Sequence, residues 1–252
     1  MSHHQPEHST HEQPAHEHPA HEHHEHVDAG EHEPDGAGRQ GSPAASGTRE
    51  MFEPDAWDER YAGDAQVWSG RPNPQLVAEA SALSPGTALD VGCGEGGDVI
   101  WLAQQGWRVT GADFSANGLA RAARHAEQAG VADRTDWWRV DARAFDPAGR
   151  EFDLVTTHFL HPPEAGMVDV TRRLAQAVAP GGHLLVVGHA PSPVFTHLSA
   201  SHHDAMFLAS DLLPALPADF EVLVAEQRPR SAVRDGVTVD IEDATLLARR
   251  SR

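Results

Sequence analysis

The chain has 252 residues, 39% of them apolar, enough for one sizeable α/β core plus a tail. Its formal net charge is −19 and all 19 basic residues are arginine, which argues against gripping nucleic acid through its phosphates or docking on an anionic membrane. With one cysteine, Cys93, no intrachain disulfide forms, and with no run near the ~20 apolar residues of a membrane span the expectation is a soluble, cytoplasmic protein of unspecified oligomeric state.

Residues 1–47 are low in complexity. His, Glu, Pro, Ala and Gly dominate, and Val27 is the only large aliphatic residue after Met1. Such a segment buries too little apolar surface to offset its ordering entropy, so it is expected to be disordered. A five-residue unit, Pro-Ala-His-Glu-His, occurs at 14–18 and again at 19–23, and 11 of the 19 histidines precede Arg39. His16, His18, His21, His23, His24 and His26 could hold zinc or nickel weakly, because neutral imidazoles on a flexible chain can gather around one ion. The dull alternative is an engineered tag, although the histidines are spread among Glu, Pro and Ala.

From residue 48 to the end the pattern is globular. Apolar runs at 88–91, 108–112, 136–140, 152–156 and 183–188 read as buried strands. Helix-like stretches at 97–105, 116–129 and 167–178 lie between them. That alternation predicts a parallel sheet covered on both faces. Two last runs, 220–225 and 238–248, read as strands joined by a polar connection, an antiparallel pair closing the sheet. The segment 204–213 reads as amphipathic and is expected to lie over a substrate pocket.

The first strand runs straight into glycines: Leu89-Asp90-Val91-Gly92-Cys93-Gly94-Glu95-Gly96-Gly97. Glycines permit positive φ and let a ligand approach the backbone. The helix that follows presents free N–H groups, and ligands bind at this end of an open α/β sheet. Gly92, Gly94 and Gly97 satisfy the dinucleotide pattern G-x-G-x-x-G, while Gly92, Gly94 and Gly96 satisfy G-x-G-x-G. Asp90 stands where a dinucleotide site usually has an apolar residue. Asp113 ends the second strand, where a carboxylate can accept from both ribose hydroxyls with either cofactor. Asp141 ends the third, where an adenine amino group could donate to it.

Here the chain resembles the class I, S-adenosylmethionine-dependent methyltransferases, over about residues 57–252. The resemblance implies a Rossmann-like, seven-stranded, mostly parallel sheet with an antiparallel C-terminal strand and helices on both faces. It implies that Asp90 and the loop of Gly92, Cys93, Gly94 and Gly96 hold the methionine portion of the cofactor. Asp113 would bind ribose, Phe114 would pack on adenine, and Asp141 with the Ala142 amide would read the adenine edge. Ala179-Pro180-Gly181-Gly182-His183 is similar to the family's turn into its fifth strand. Upstream, Trp57-Asp58-Glu59-Arg60-Tyr61 and Val67-Trp68-Ser69-Gly70-Arg71-Pro72-Asn73-Pro74 resemble the cap of a small-molecule branch, that of thiopurine and tellurite-resistance methyltransferases. On that resemblance Trp68 and Tyr61 could face the sulfonium and Arg71 could pair with the cofactor carboxylate; plain helix packing is the other reading.

Residues 156–163 follow the fourth strand and lack the Asn/Asp-Pro-Pro-Tyr/Phe pattern of nucleic-acid amino methyltransferases. His158 is a candidate general base or substrate-orienting group, or else lines the cofactor pocket. The expected acceptor is a small molecule attacked through sulfur, oxygen or nitrogen. Two rivals stand: a nicotinamide-dependent oxidoreductase, and a metal-handling protein whose tail is the functional part.

Overall fold

The structure is a computed structural model and describes residues 52–63, 65–163, 166–195, 200–234 and 237–252. The tail and its six candidate metal histidines lie outside the described residues. The elements in chain order are α1 (Pro54–Ala62), α2 (Pro74–Ala80), β1 (Thr87–Val91), α3 (Gly97–Gln104), β2 (Arg108–Asp113), α4 (Ala116–Gln128), β3 (Thr135–Arg139), β4 (Phe152–His158), α5 (Gly166–Ala175), β5 (Val178–His189), α6 (Ala200–Ala205), β6 (Phe220–Arg234) and β7 (Val237–Arg250). Short 3-10 turns include Ala142–Ala144, Pro193–Phe195 and Ala209–Ala215.

The seven strands form one sheet in the order β3-β2-β1-β4-β5-β7-β6. Strands β1 to β5 pair in parallel, and β7 runs antiparallel between β5 and β6. The strand order reverses at β1, where the next strand moves to the other side, and this is where an open α/β sheet leaves a crevice. Both faces are buried, which explains the near-continuous apolar runs. One face packs Leu89, Val155, Leu184, Val186 and Leu246 against α5 and the 209–215 turn. The other packs Ala88, Leu154, Leu185, Val187 and Leu247 against α2, α3 and α4. No helix among the described residues is long and apolar enough to cross a membrane.

Three expectations change at the margins. The polar connection expected after residue 225 is strand: β6 continues to Arg234 and β7 starts at Val237. Pairing of β5 with β7 ends at His189↔Asp243, while β6 and β7 pair on to Arg234↔Val237, so they project past the sheet as a two-stranded ribbon. Pro229, which lacks an N–H, is tolerated because β6 is the edge strand. The helix expected at 167–178 is α5, which ends at Ala175, and β5 already begins at Val178, which pairs with Phe152. The 204–213 segment is the end of α6 followed by a 3-10 turn, because Pro214 interrupts α-helical bonding. Its Ala209 and Leu212 are buried in the core beside α5, so that part fills the sheet face.

Candidate functional site

The site begins where β1 ends. Gly92, Gly94 and Gly96 have φ of 80°, 51° and 83°, a left-handed path that only glycine takes without penalty. The path folds the loop back over β2: Gly92 N and Cys93 N both donate to Ala112 O, at 2.7 and 3.1 Å. Asp113 straps the loop down. Its Oδ2 accepts from Gly94 N at 2.9 Å and its Oδ1 from Ser115 N at 2.8 Å. Burial pushes the Asp113 carboxyl above its ordinary value, against the pull of those two amides. Each oxygen keeps a lone pair for a further donor.

Asp90 is 2% exposed. It accepts from Thr156 Oγ1 at 2.9 Å and lies 3.5 Å from His158 Nδ1, which is itself 2.9 Å from Asp98 Oδ2. Asp98 Oδ1 in turn accepts from Asn73 N at 2.6 Å, tying the start of α2 to α3. Burial opposes charge on His158, but Asp98 and Asp90 outweigh it and hold the imidazolium up to a pKa of about 10. With both acids facing its ring, an imidazolium held in this way is a donor at neutral pH. Ligand atoms of Asp90, Asp98 and His158 lie within 4.8 Å of one another, a spacing that would suit a cation; here the imidazolium supplies the positive charge.

The cap lies directly on the loop. A Cβ at Gly94 would stand 2.8 Å from the Tyr61 hydroxyl, and one at Gly118 would stand 3.2 Å from its ring. Trp68 Nε1 donates to the Tyr61 hydroxyl at 2.8 Å, and Trp68 stacks on Trp57 at 5.9 Å. The cation on these aromatic faces is Arg60, 5.1 Å from the Trp57 centroid and 5.7 Å from that of Trp68. Arg71 is exposed; its backbone N donates to Ser69 Oγ at 3.2 Å, and its carbonyl oxygen would lie 3.3 Å from a Cβ at Gly97.

What fastens cap to loop is Glu95, which sequence reasoning passed over. It is 4% exposed. Its Oε2 accepts from Val67 N and Trp68 N, each at 3.0 Å, and its Oε1 pairs with Arg121 Nη1 at 2.6 Å. Arg121 also donates to Ala65 O at 2.7 Å. The only sequence signal was a carboxylate inside a glycine loop.

Beyond the end of β3, Asp141 is engaged by a neighbouring arginine. Asp141 accepts from Arg143 Nε at 3.0 Å, Arg143 Nη2 at 2.7 Å and Arg143 N at 2.9 Å. Burial works against its charge, but the Arg143 bonds win and hold its carboxyl below the ordinary range. Ala142 is buried within the 142–144 turn, and Phe114 is half-buried with its carbonyl accepting from Arg139 Nε at 3.1 Å. The structure therefore brings Asp90, the glycine loop, Asp113, His158, Tyr61 and Trp68 together, and pins Asp141 by a neighbouring arginine.

Residues 88–182 match a family model described as "Methyltransferase domain". The chain is 30% identical over 135 residues to Ribosomal RNA small subunit methyltransferase C of Alcanivorax borkumensis, covering 49% of this chain and 40% of that protein. It is 32% identical over 142 residues to Trans-aconitate 2-methyltransferase of Streptomyces avermitilis, covering 54% and 52%. The chain thus spans about half the length of the curated relatives it matches. Among solved structures, the N-methyltransferase NodS from Bradyrhizobium japonicum in complex with S-adenosyl-l-homocysteine superposes with a TM-score of 0.58 at 17% identity, over 79% of this chain and 98% of that one.

Proposed function

We infer that this chain, a class I, S-adenosylmethionine-dependent methyltransferase by its fold and family model, moves a methyl group to a small-molecule sulfur, oxygen or nitrogen acceptor in the cytoplasm. The observation that carries the reading is the pair of buried carboxylates, Asp90 and Asp113, set on either side of a positive-φ glycine loop at the ends of β1 and β2. The donor set fits an aminoacyl nucleoside. Asp90 and the protonated His158 offer one negative and one positive group for an ammonium and a carboxylate. Asp113 has lone pairs left for ribose hydroxyls, and the Tyr61 and Trp68 rings close over Gly94. Asp141 would have to share its carboxylate with Arg143 to read an adenine amino group.

S-adenosylmethionine supplies a methyl already activated by the sulfonium charge. The protein's own work is then to align and to exclude water, contributions that reach about 7–11 kcal/mol in well-oriented reactions. Tyr61 and Trp68 wall the loop, and Glu95 holds that wall in place through Val67 N and Trp68 N. A nicotinamide site is the weaker reading, because the strand position before the loop carries Asp90 locked into a charged network with Thr156 and His158. The small-molecule acceptor rests on the charge of −19 and on the absence of an Asn/Asp-Pro-Pro-Tyr/Phe segment at 156–163. The test is release of S-adenosylhomocysteine against a panel of thiols, phenols, amines and RNA. Turnover with RNA alone would overturn the acceptor reading.

The tail carries a separate proposal. Up to Gly38 it holds nine carboxylates and no arginine beside its imidazoles, a composition suited to weak, reversible zinc or nickel binding that is lost below about pH 6 as the imidazoles protonate. A truncation starting at Thr48 should lose metal uptake and keep methyl transfer. Unchanged uptake would remove the tail as the metal site.

A further inference from the structure

A second buried polar group lies at the carboxyl end of β5, two residues beyond Val187, which pairs with His158. Asp243 on β7 is fully buried, and Arg230 on β6, with 12% of its side chain exposed, donates from Nε to Asp243 Oδ2 at 2.8 Å. The other oxygen, Oδ1, faces His189 Nδ1 at 3.7 Å. Both of those atoms, and the nearby Thr245 Oγ1, are buried with no hydrogen-bond partner among the described residues. Natural proteins leave few such atoms, and each asks for an explanation. A packed apolar group would close this part of the sheet at no electrostatic cost.

Aromatic rings surround the imidazole. His189 lies 4.5 Å from Phe159, 5.1 Å from His161 in a near-parallel stack, and 5.1 Å from Phe195. Phe159 has φ +53°, a conformation that is rare for a bulky residue and clusters at functional sites. The turn it makes separates His158, which faces Asp90 and Asp98, from Phe159, which faces His189. His161 Nε2 accepts from His189 N at 2.9 Å, and burial, then the neighbouring His189, push its pKa down to about 3. It therefore does not compete for a proton.

We propose that His189 is the proton acceptor for the methyl acceptor and Asp243 its positioning residue, and that the acceptor is a planar aromatic molecule bearing a hydroxyl or thiol, matched to the rings of Phe159, His161 and Phe195 around the imidazole. This rests on the methyl-transfer reading. The acceptor's O–H or S–H proton passes to His189 Nε2 as the freed lone pair bonds to the methyl carbon, and the C–S bonding pair stays on the departing sulfur. Asp243, held by Arg230, orients Nδ1–H and stabilises the imidazolium that forms. A 3.7 Å gap is long for that hydrogen bond, and such bonds are often loose before the substrate is bound.

The probes are 4-nitrophenol and 4-nitrothiophenol, whose absorbance reports their ionisation, titrated into the full chain with S-adenosylhomocysteine present. Bound probe should ionise at a pH about one unit or more below free probe. His189→Phe keeps the ring stack and should abolish that shift and slow methylation of the same phenol or thiol about 100- to 10,000-fold. Asp243→Asn should move the midpoint of the pH profile without removing probe binding; the charged and titratable neighbours that shape that profile are Asp243, Arg230, His161 and His202. Failure of both probes to ionise in the protein, or an unchanged shift in His189→Phe, would overturn the proposal. Calorimetry with S-adenosylhomocysteine on the same samples separates the two readings. Normal binding with no probe shift sinks only the acceptor site, and no binding sinks the methyl-transfer reading.

Discussion

Replacing Glu95 by alanine tests how the cap is fastened to the glycine loop. The carboxylate is 4% exposed and its partner Arg121 is 6% exposed, with 2.6 Å between Oε1 and Nη1. Removing one member of a buried pair leaves the other charge uncompensated, which costs about 3–5 kcal/mol. Val67 N, which is buried, loses its acceptor as well, while the exposed Trp68 can turn to water. Against a typical total of about 5–15 kcal/mol, the loss is large. Urea unfolding followed by tryptophan fluorescence should show the midpoint falling by about 1–3 M for Glu95→Ala at an unchanged slope. Glu95→Gln, which keeps an acceptor but not the charge, should fall between. The decisive variant is Glu95→Ala with Arg121→Leu. It removes both charges, and the exposed Ala65 carbonyl that Arg121 served turns to water, so most of the stability should return. A loss below about 0.5 kcal/mol for Glu95→Ala, or no recovery in the double variant, would refute this account of the cap.

Three further outcomes are expected. His158 has its pKa raised to about 10 in the fold, so the stability it contributes is full below about pH 6.5 and is lost as pH rises through about 10; unfolding free energy should decline over that window in the native chain and stay flatter in His158→Gln, and matching profiles would contradict it. Asp113→Ala removes the acceptors for Gly94 N and Ser115 N and should weaken S-adenosylhomocysteine binding by about 1.5–3 kcal/mol, ten- to a hundredfold; a lower melting temperature with unchanged affinity would reduce Asp113 to a structural strap. Phe207 packs its ring directly on Gly188 of β5, so Gly188→Ala would drive a methyl into that ring and should destabilise by about 1–3 kcal/mol; a neutral result in thermal unfolding would contradict this packing.

The central sheet was legible because β1, β2, β4 and β5 are buried on both faces and so read as apolar runs. The glycine loop and its acids were legible because residue type and local order are enough to mark them. The ribbon was not. Glu226, Arg228 and Arg230 look like a loop in sequence, yet they pair across an edge where water or salt bridges accept the side chains, as Arg228 does with Glu79 at 2.5 Å. Long-range partners were also hidden. Glu95 meets an arginine on α4 and two amides of the cap, and Asp98 on α3 meets His158 at the end of β4. Arg143 sits two residues from Asp141, and only the turn at 142–144 brings it round to the carboxylate. His189 and Asp243 meet only because β7 returns antiparallel to β5.

The most direct test of the central claim is calorimetry of the purified chain with S-adenosylhomocysteine and, separately, with NAD. The arrangement of Asp90, Asp113 and the positive-φ loop predicts saturable binding of S-adenosylhomocysteine, weakened by Asp113→Ala, and no heat with NAD. Tight NAD binding with no signal from S-adenosylhomocysteine would contradict it.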